Sequence, residues 1–220
     1  MNYQEQFFDL IYTLPAVLLA IILHECAHGL MSVWLGDDTP RRQGRLSLNP
    51  LHHIDPMGVL CLAVFKIGWA KPVQVDPRRY RNGKRGMVLV ALAGPITNFL
   101  LAFLACLIYT LLWKHWFFLG TGRMVEAVYY ILLNIISVNL GLGVFNLIPI
   151  PPLDGSKVLG AVLPERYYFG YMRYERYGTY VLIGLIMLEN VLNIDLLPIG
   201  GLCNWLLDGM LKVSIRFFGL

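Results

Sequence analysis

Leu10 to Met31 reads LIYTLPAVLLAIILHECAHGLM, and the solvent around this stretch decides the fold. Its only Asp, Glu, Lys, Arg or His side chains are His24, Glu25 and His28, set in an otherwise apolar run long enough to cross a hydrocarbon core about 30 Å thick. Two further runs have the same character. Gly86 to Trp113 and Ala127 to Leu153 contain no Asp, Glu, Lys or Arg. Across the 220 residues, 57% are hydrophobic and 15% charged, against about 25% charged in ordinary soluble domains. The reading is an all-α polytopic membrane protein, with an unusually apolar soluble helical protein as its rival.

Outward from the first run, Gly36-Asp37-Asp38-Thr39-Pro40 is a stop signal. The loop from Arg41 to Arg85 is basic at both ends. Between those ends Met57 to Phe65 is apolar but too short for an ordinary span, which predicts a re-entrant or interfacial segment. Gly68 to Pro77 is punctuated by proline and suits an edge strand. Full spans are expected at about 10–34, 87–113 and 125–148, with a fourth at 180–197 despite Glu189 and Asp195. The tail from Leu202 is amphipathic, as in helices that lie on a membrane surface. Residues 1–160 are expected to form the core and 161–220 a C-terminal membrane-associated region. Met1 to Asp9 has no positive region, so the first run should stay in the mature chain.

The net charge of +4 comes from loops beside the spans and is no nucleic-acid signature. The basic loop after the first span and the segment after Lys157 should be cytoplasmic. Three spans then bring His28 and Asp154 to that same side. Cys26, Cys61, Cys106 and Cys203 fit neither a disulfide framework nor a Cys-type zinc site, and read as small buried hydrophobes.

His24 and His28, four apart, share one helix face, with Glu25 beside the first. In this HExxH arrangement two imidazoles bind zinc and the carboxylate takes a proton from the water that the metal activates. The competing reading is a polar helix–helix contact, but ionisable residues inside a span are costly and rarely lack a role. A catalytic site needs a third ligand. Position 34 of the longer soluble pattern is Trp34, and no Glu occurs between Glu25 and Glu126. Asp154, in Pro151-Pro152-Leu153-Asp154-Gly155, is the remaining candidate; its alternative is a helix cap. His52 and His53 are weaker ligand candidates in a polar loop. Asn98 and Asn146 interrupt the second and third spans. Each reads either as a donor that orients a substrate carbonyl or stabilises an oxyanion, or as an interhelical hydrogen-bonding group.

Together, His24-Glu25-Cys26-Ala27-His28, Gly94-Pro95-Ile96-Thr97-Asn98 and Asn146 to Gly155 resemble the site-2 protease family of intramembrane zinc metalloproteases, over about Leu10 to Gly160. Gly44 to Pro50 and Gly68 to Val73 are similar to loops of its compact prokaryotic members. The resemblance implies one Zn2+ per chain on His24, His28 and Asp154, Glu25 as catalytic acid/base, and Asn98 and Asn146 at positions lining the site. It implies transmembrane protein substrates, the lipid bilayer as setting, and release of membrane-tethered factors by regulated proteolysis in a prokaryotic cytoplasmic membrane. It leaves no room for a PDZ domain or extra spans. Lys66 to Val75 is expected to take the unwound substrate by strand addition. The rival functions are a zinc-binding transporter or sensor that does not hydrolyse, and an inactive scaffold that binds membrane proteins. The sequence sets no oligomeric state.

Overall fold

A computed structural model describes residues 3–58, 70–115, 122–192, 197 and 199–219. Its long helices are α1 (Tyr3–Trp34), α3 (Gly83–Lys114), α4 (Arg123–Asn146), α6 (Glu165–Leu192) and α7 (Ile199–Phe218). Short helices α2 (Thr39–Arg42) and α5 (Asp154–Val162) lie between them. Ile11–Trp34, Gly83–Lys114 and Arg123–Asn146 are long and apolar enough to cross a membrane. The expected fourth span falls on α6, whose apolar stretch, Tyr177–Glu189, is shorter than those three. The expected re-entrant segment lies mostly outside the described residues. Among those described, the only pairing of extended chain is an isolated antiparallel bridge between Ile54 and Ala70.

Why such helices pack is visible in α3. Gly86, Val90, Gly94, Asn98, Ala102, Cys106 and Thr110, spaced by four, are all buried. Leu89, Leu100, Leu104, Ile108 and Leu111 are exposed. Lipid is as apolar as leucine, so burial of leucine is no driving force between spans. Close approach of small residues and interhelical hydrogen bonds supply the contact. On α4 the inward row is Leu132, Ile136, Leu140 and Val144, again spaced by four. Gly143 sits where a Cβ would come within 2.7 Å of the Phe99 ring. The core is Ala102, Ala105, Cys106, Leu132, Ile136 and Leu140.

The amphipathic tail is α7, and it packs on this core through Leu206, Leu207 and Met210. A buried hydroxyl contact joins it to α3: Ser214 Oγ lies 3.1 Å from Thr110 Oγ1. Lone hydroxyls in lipid need such partners.

At the membrane edge, α1 ends in a polar clasp. Asp37 is fully buried. Its carboxylate accepts from Ser32 Oγ at 3.0 Å, from the Asp76 amide at 2.8 Å and from the Thr39 amide at 3.0 Å, with the Thr39 hydroxyl adding a fourth bond. Tyr80 Oη meets Ser32 Oγ at 2.8 Å, and Tyr80 packs on Gly86, where a Cβ would lie 2.6 Å from the ring. The clasp therefore sets the distance between the end of α1 and the start of α3.

Candidate metal centre

The helical repeat puts His24 and His28 one turn apart, facing α3. The chain leaves α4 at Asn146 and turns through Pro149 to Leu153, and Asp154 opens α5. Gly155 permits that turn. A Cβ there would stand 2.2 Å from the Leu147 carbonyl oxygen. The three side chains meet although His24 and Asp154 are 130 residues apart in sequence. His24 Nε2 lies 3.0 Å from His28 Nε2 and 3.2 Å from Asp154 Oδ2, and His28 Nε2 lies 3.0 Å from that same oxygen. All three residues are buried. Among the described residues they form the only group of three or more His, Cys, Asp or Glu that could hold a metal ion.

The donor set fits a zinc ion. His28 Nδ1 is 2.6 Å from the Val90 carbonyl oxygen, which can only accept, so Nδ1 carries a proton and, in the neutral ring, Nε2 keeps a lone pair. Lone pairs brought this close repel unless a cation lies among them. Two ligands about 2.0–2.1 Å from a tetrahedral ion stand about 3.3 Å apart, close to the separations found. Two imidazoles and one carboxylate form a catalytic type of set that leaves a position open. Gly94 clears the space: a Cβ there would meet His28 Nε2 at 2.5 Å and His24 Nε2 at 2.7 Å.

Asp154 is held ionised. Burial disfavours its charged form, and the adjacent Lys157 ammonium favours it. Lys157 Nζ donates to Oδ1 at 3.0 Å, which leaves Oδ2 for the centre.

Glu25 lines the same cavity, of about 560 Å³, together with Val73, Phe145, Asn146, Thr179 and Ile183. The Val73 amide donates to Glu25 Oε2 at 2.9 Å. The segment after the first span thus touches the catalytic candidate directly. Residues of α6 reach the cavity where Gly178 lets that helix approach Pro151; a Cβ there would lie 2.3 Å from the Pro151 carbonyl oxygen.

The two asparagines part company. Asn146 lines the cavity and donates to the Leu142 carbonyl of its own helix at 3.0 Å. Asn98 is fully buried behind His24, with Oδ1 2.6 Å from His24 Nδ1. Its Nδ2 reaches Asn139 Oδ1 at 2.8 Å and the Ala20 carbonyl at 3.3 Å. Asn139 is not marked out in the sequence: it stands seven residues, two helical turns, before Asn146, but on a span that also carries Asn134. His53 is buried against the Ser47 carbonyl at 2.7 Å, and His52 meets the Gly44 carbonyl at 3.0 Å; neither joins the triad.

The model of peptidase family M50 matches residues 63–189, a stretch that includes Gly94–Asn98 and Asn146–Gly155 but begins after His28. The chain is 31% identical over 217 residues to "Putative zinc metalloprotease YwhC" of Bacillus subtilis, covering 94% of this chain and 92% of that one. It is 28% identical over 155 residues to "Putative zinc metalloprotease Rip2" of Mycolicibacterium smegmatis, covering 64% of this chain and 53% of that one. It is 31% identical over 107 residues to "Zinc metalloprotease MJ0392" of Methanocaldococcus jannaschii, covering 48% of this chain and 28% of that one. No solved structure matches it.

Proposed function

We propose, from the premise that this chain belongs to peptidase family M50, that it cuts transmembrane protein substrates within or near the bilayer. It is a zinc-dependent peptidase and an integral membrane protein. In the proposal His24, His28 and Asp154 hold the zinc, and Glu25 is the acid/base. One observation carries it: two imidazole nitrogens and a carboxylate oxygen converge within 3.2 Å beside Glu25, in a cavity bounded by membrane spans.

Zinc, when bound, supplies a Lewis acid that polarises water and the peptide carbonyl. The chain supplies the rest. Glu25 accepts the proton of the attacking water and returns it to the leaving amine. The Val73 amide fixes one of its oxygens, so the carboxylate is aimed before substrate arrives. Asn146 lines the cavity as a donor for the substrate carbonyl or the oxyanion. A helical substrate has its carbonyls already bonded, so it unwinds before cleavage. Ala70, Pro72, Val73 and Val75 form one wall of the cavity, which supports this segment as the one along which the unwound chain lies.

The basic loops beside the spans support a cytoplasmic position for that wall, by the positive-inside rule. Cleavage there would release the soluble part of a membrane-tethered protein, the logic of regulated intramembrane proteolysis. Glu25→Gln tests the reading: it should keep zinc and cut a membrane substrate at least about a thousandfold more slowly, the upper part of what acid–base catalysis contributes. Cleavage at the parent rate by Glu25→Gln would rule out this mechanism, and a parent that cuts no membrane substrate would leave a zinc-binding transporter, sensor or scaffold.

A further inference from the structure

We propose that Asn139 of α4 is a positioning residue for His24, acting through Asn98. The inference rests on reading His24 as a zinc ligand. Its starting point is that an amide side chain has one donating and one accepting end, and a backbone carbonyl can only accept. Asn139 meets the Ile135 carbonyl at 2.8 Å, so that end is the NH2. Its oxygen therefore faces Asn98. The end of Asn98 that lies 2.8 Å from this oxygen must in turn be an NH2, and it also reaches the Ala20 carbonyl at 3.3 Å. The oxygen of Asn98 then faces His24 Nδ1 at 2.6 Å, so Nδ1 carries the proton.

The chain of bonds thus runs one way, from His24 on α1 through Asn98 on α3 and Asn139 on α4 to a backbone carbonyl. Its consequence falls on the other ring nitrogen. An imidazole protonated at Nδ1 has its lone pair on Nε2, the atom that stands 3.0 Å from His28 Nε2 and 3.2 Å from Asp154 Oδ2. His28 reaches the same tautomer directly, through the Val90 carbonyl. Outer partners of this kind orient a ligand ring and fix its tautomer. Without Asn139, the NH2 of Asn98 keeps only the longer bond to Ala20, and the amide can reverse. A reversed amide would present NH2 to Nδ1 and move the imidazole proton to Nε2, where it blocks the metal. Asn98 and Asn139 are both fully buried, so no water repairs the loss.

The experiment uses the full zinc-loaded chain in detergent. Zinc affinity is measured by chelator competition for the parent, Asn139→Leu, Asn139→Asp and His24→Ala. Asn139→Leu should weaken zinc roughly tenfold, as loss of an outer partner does. Asn139→Asp should stay within about threefold of the parent, because a buried carboxylic acid keeps one donor and one acceptor. Long-range proton–nitrogen spectra of protein with 15N-labelled histidine, with the His24 signal assigned by its loss in His24→Ala, should show the parent's His24 protonated at Nδ1. Equal affinities for parent and Asn139→Leu, or equal weakening in Asn139→Leu and Asn139→Asp, would overturn the proposal. So would a parent His24 unprotonated at Nδ1, a reading made on the parent itself, with His24→Ala used only to assign the signal. Undiminished zinc binding by His24→Ala would instead overturn the ligand assignment itself.

Discussion

Gly94→Ala places one methyl group at the meeting point of His24 and His28, the proposed ligands. The added Cβ would lie 2.5 Å from His28 Nε2, 2.6 Å from His24 Cε1 and 2.7 Å from His24 Nε2. Unstrained heavy atoms sit about 3.5 Å apart or more, so the nearest ring must retreat by about 1 Å. Zinc ligands tolerate about 0.2 Å. Neither ring can retreat freely, because each is anchored at Nδ1, His24 by Asn98 and His28 by the Val90 carbonyl. Overpacking of this sort costs about 1–3 kcal/mol, and about 1.4 kcal/mol is a factor of ten in affinity. Zinc binding should therefore weaken roughly ten- to hundredfold, read by chelator competition on purified protein, with peptidase activity falling alongside. Gly141→Ala is the matched control on α4. A Cβ there meets nothing within 4 Å, and Ala is the better helix former by about 1 kcal/mol. It should bind zinc like the parent and melt no lower. A Gly94→Ala protein with parental zinc affinity would refute the reasoning from packing to metal geometry.

Two predictions concern the scaffold. Asp37→Asn leaves the Asp76 amide facing an NH2 and should cost about 1–3 kcal/mol at neutral pH. Burial alone would raise the pKa of Asp37, but hydrogen bonds from the Thr39 hydroxyl, the Asp76 and Thr39 amides and Ser32 outweigh it and hold the carboxyl below its usual value. The gap in melting temperature between parent and variant should thus be full above about pH 4. It should close as pH falls through the depressed folded value; a gap independent of pH between 7 and 3 would refute the assignment. Ser214→Ala removes the hydroxyl contact between α7 and α3 and should lower stability by about 1 kcal/mol. Thr110→Val should cost less in the Ser214→Ala background than in the parent, since only its bond to the Cys106 carbonyl is then left to lose, and a fully additive double variant would show that the two hydroxyls act separately.

Spans and candidate ligands were legible for related reasons. Lipid admits few residue types, so runs such as Gly86 to Trp113 declare themselves. Metal chemistry admits few as well, so His24, Glu25, His28 and Asp154 stand out against them. The family resemblance drawn from these motifs agrees with the membership found by comparison. What stayed hidden depends on register between segments distant in sequence. Asn139 alone is one amide in a span, no different on paper from Asn134, which bonds Thr13 instead. Only the meeting of α3 with α4 sets it against Asn98. Asp37 read as part of a stop signal, because its burial depends on Asp76, 39 residues later. The amphipathic tail read as a surface helix, because pairing of Ser214 with Thr110 spans 104 residues.

The clasp at Asp37 has one more effect. It cinches the neck of a long excursion, since the chain leaves at Asp37 and returns at Asp76 to the same carboxylate. The free-energy cost of closing such an excursion grows only with the logarithm of its length. Residues inside it can lengthen or change composition while the neck keeps its width. The spacing of His24 from Gly94 is then insulated from the part of the chain that overlies the cavity, and one buried aspartate keeps an exchangeable cover separate from a fixed hearth.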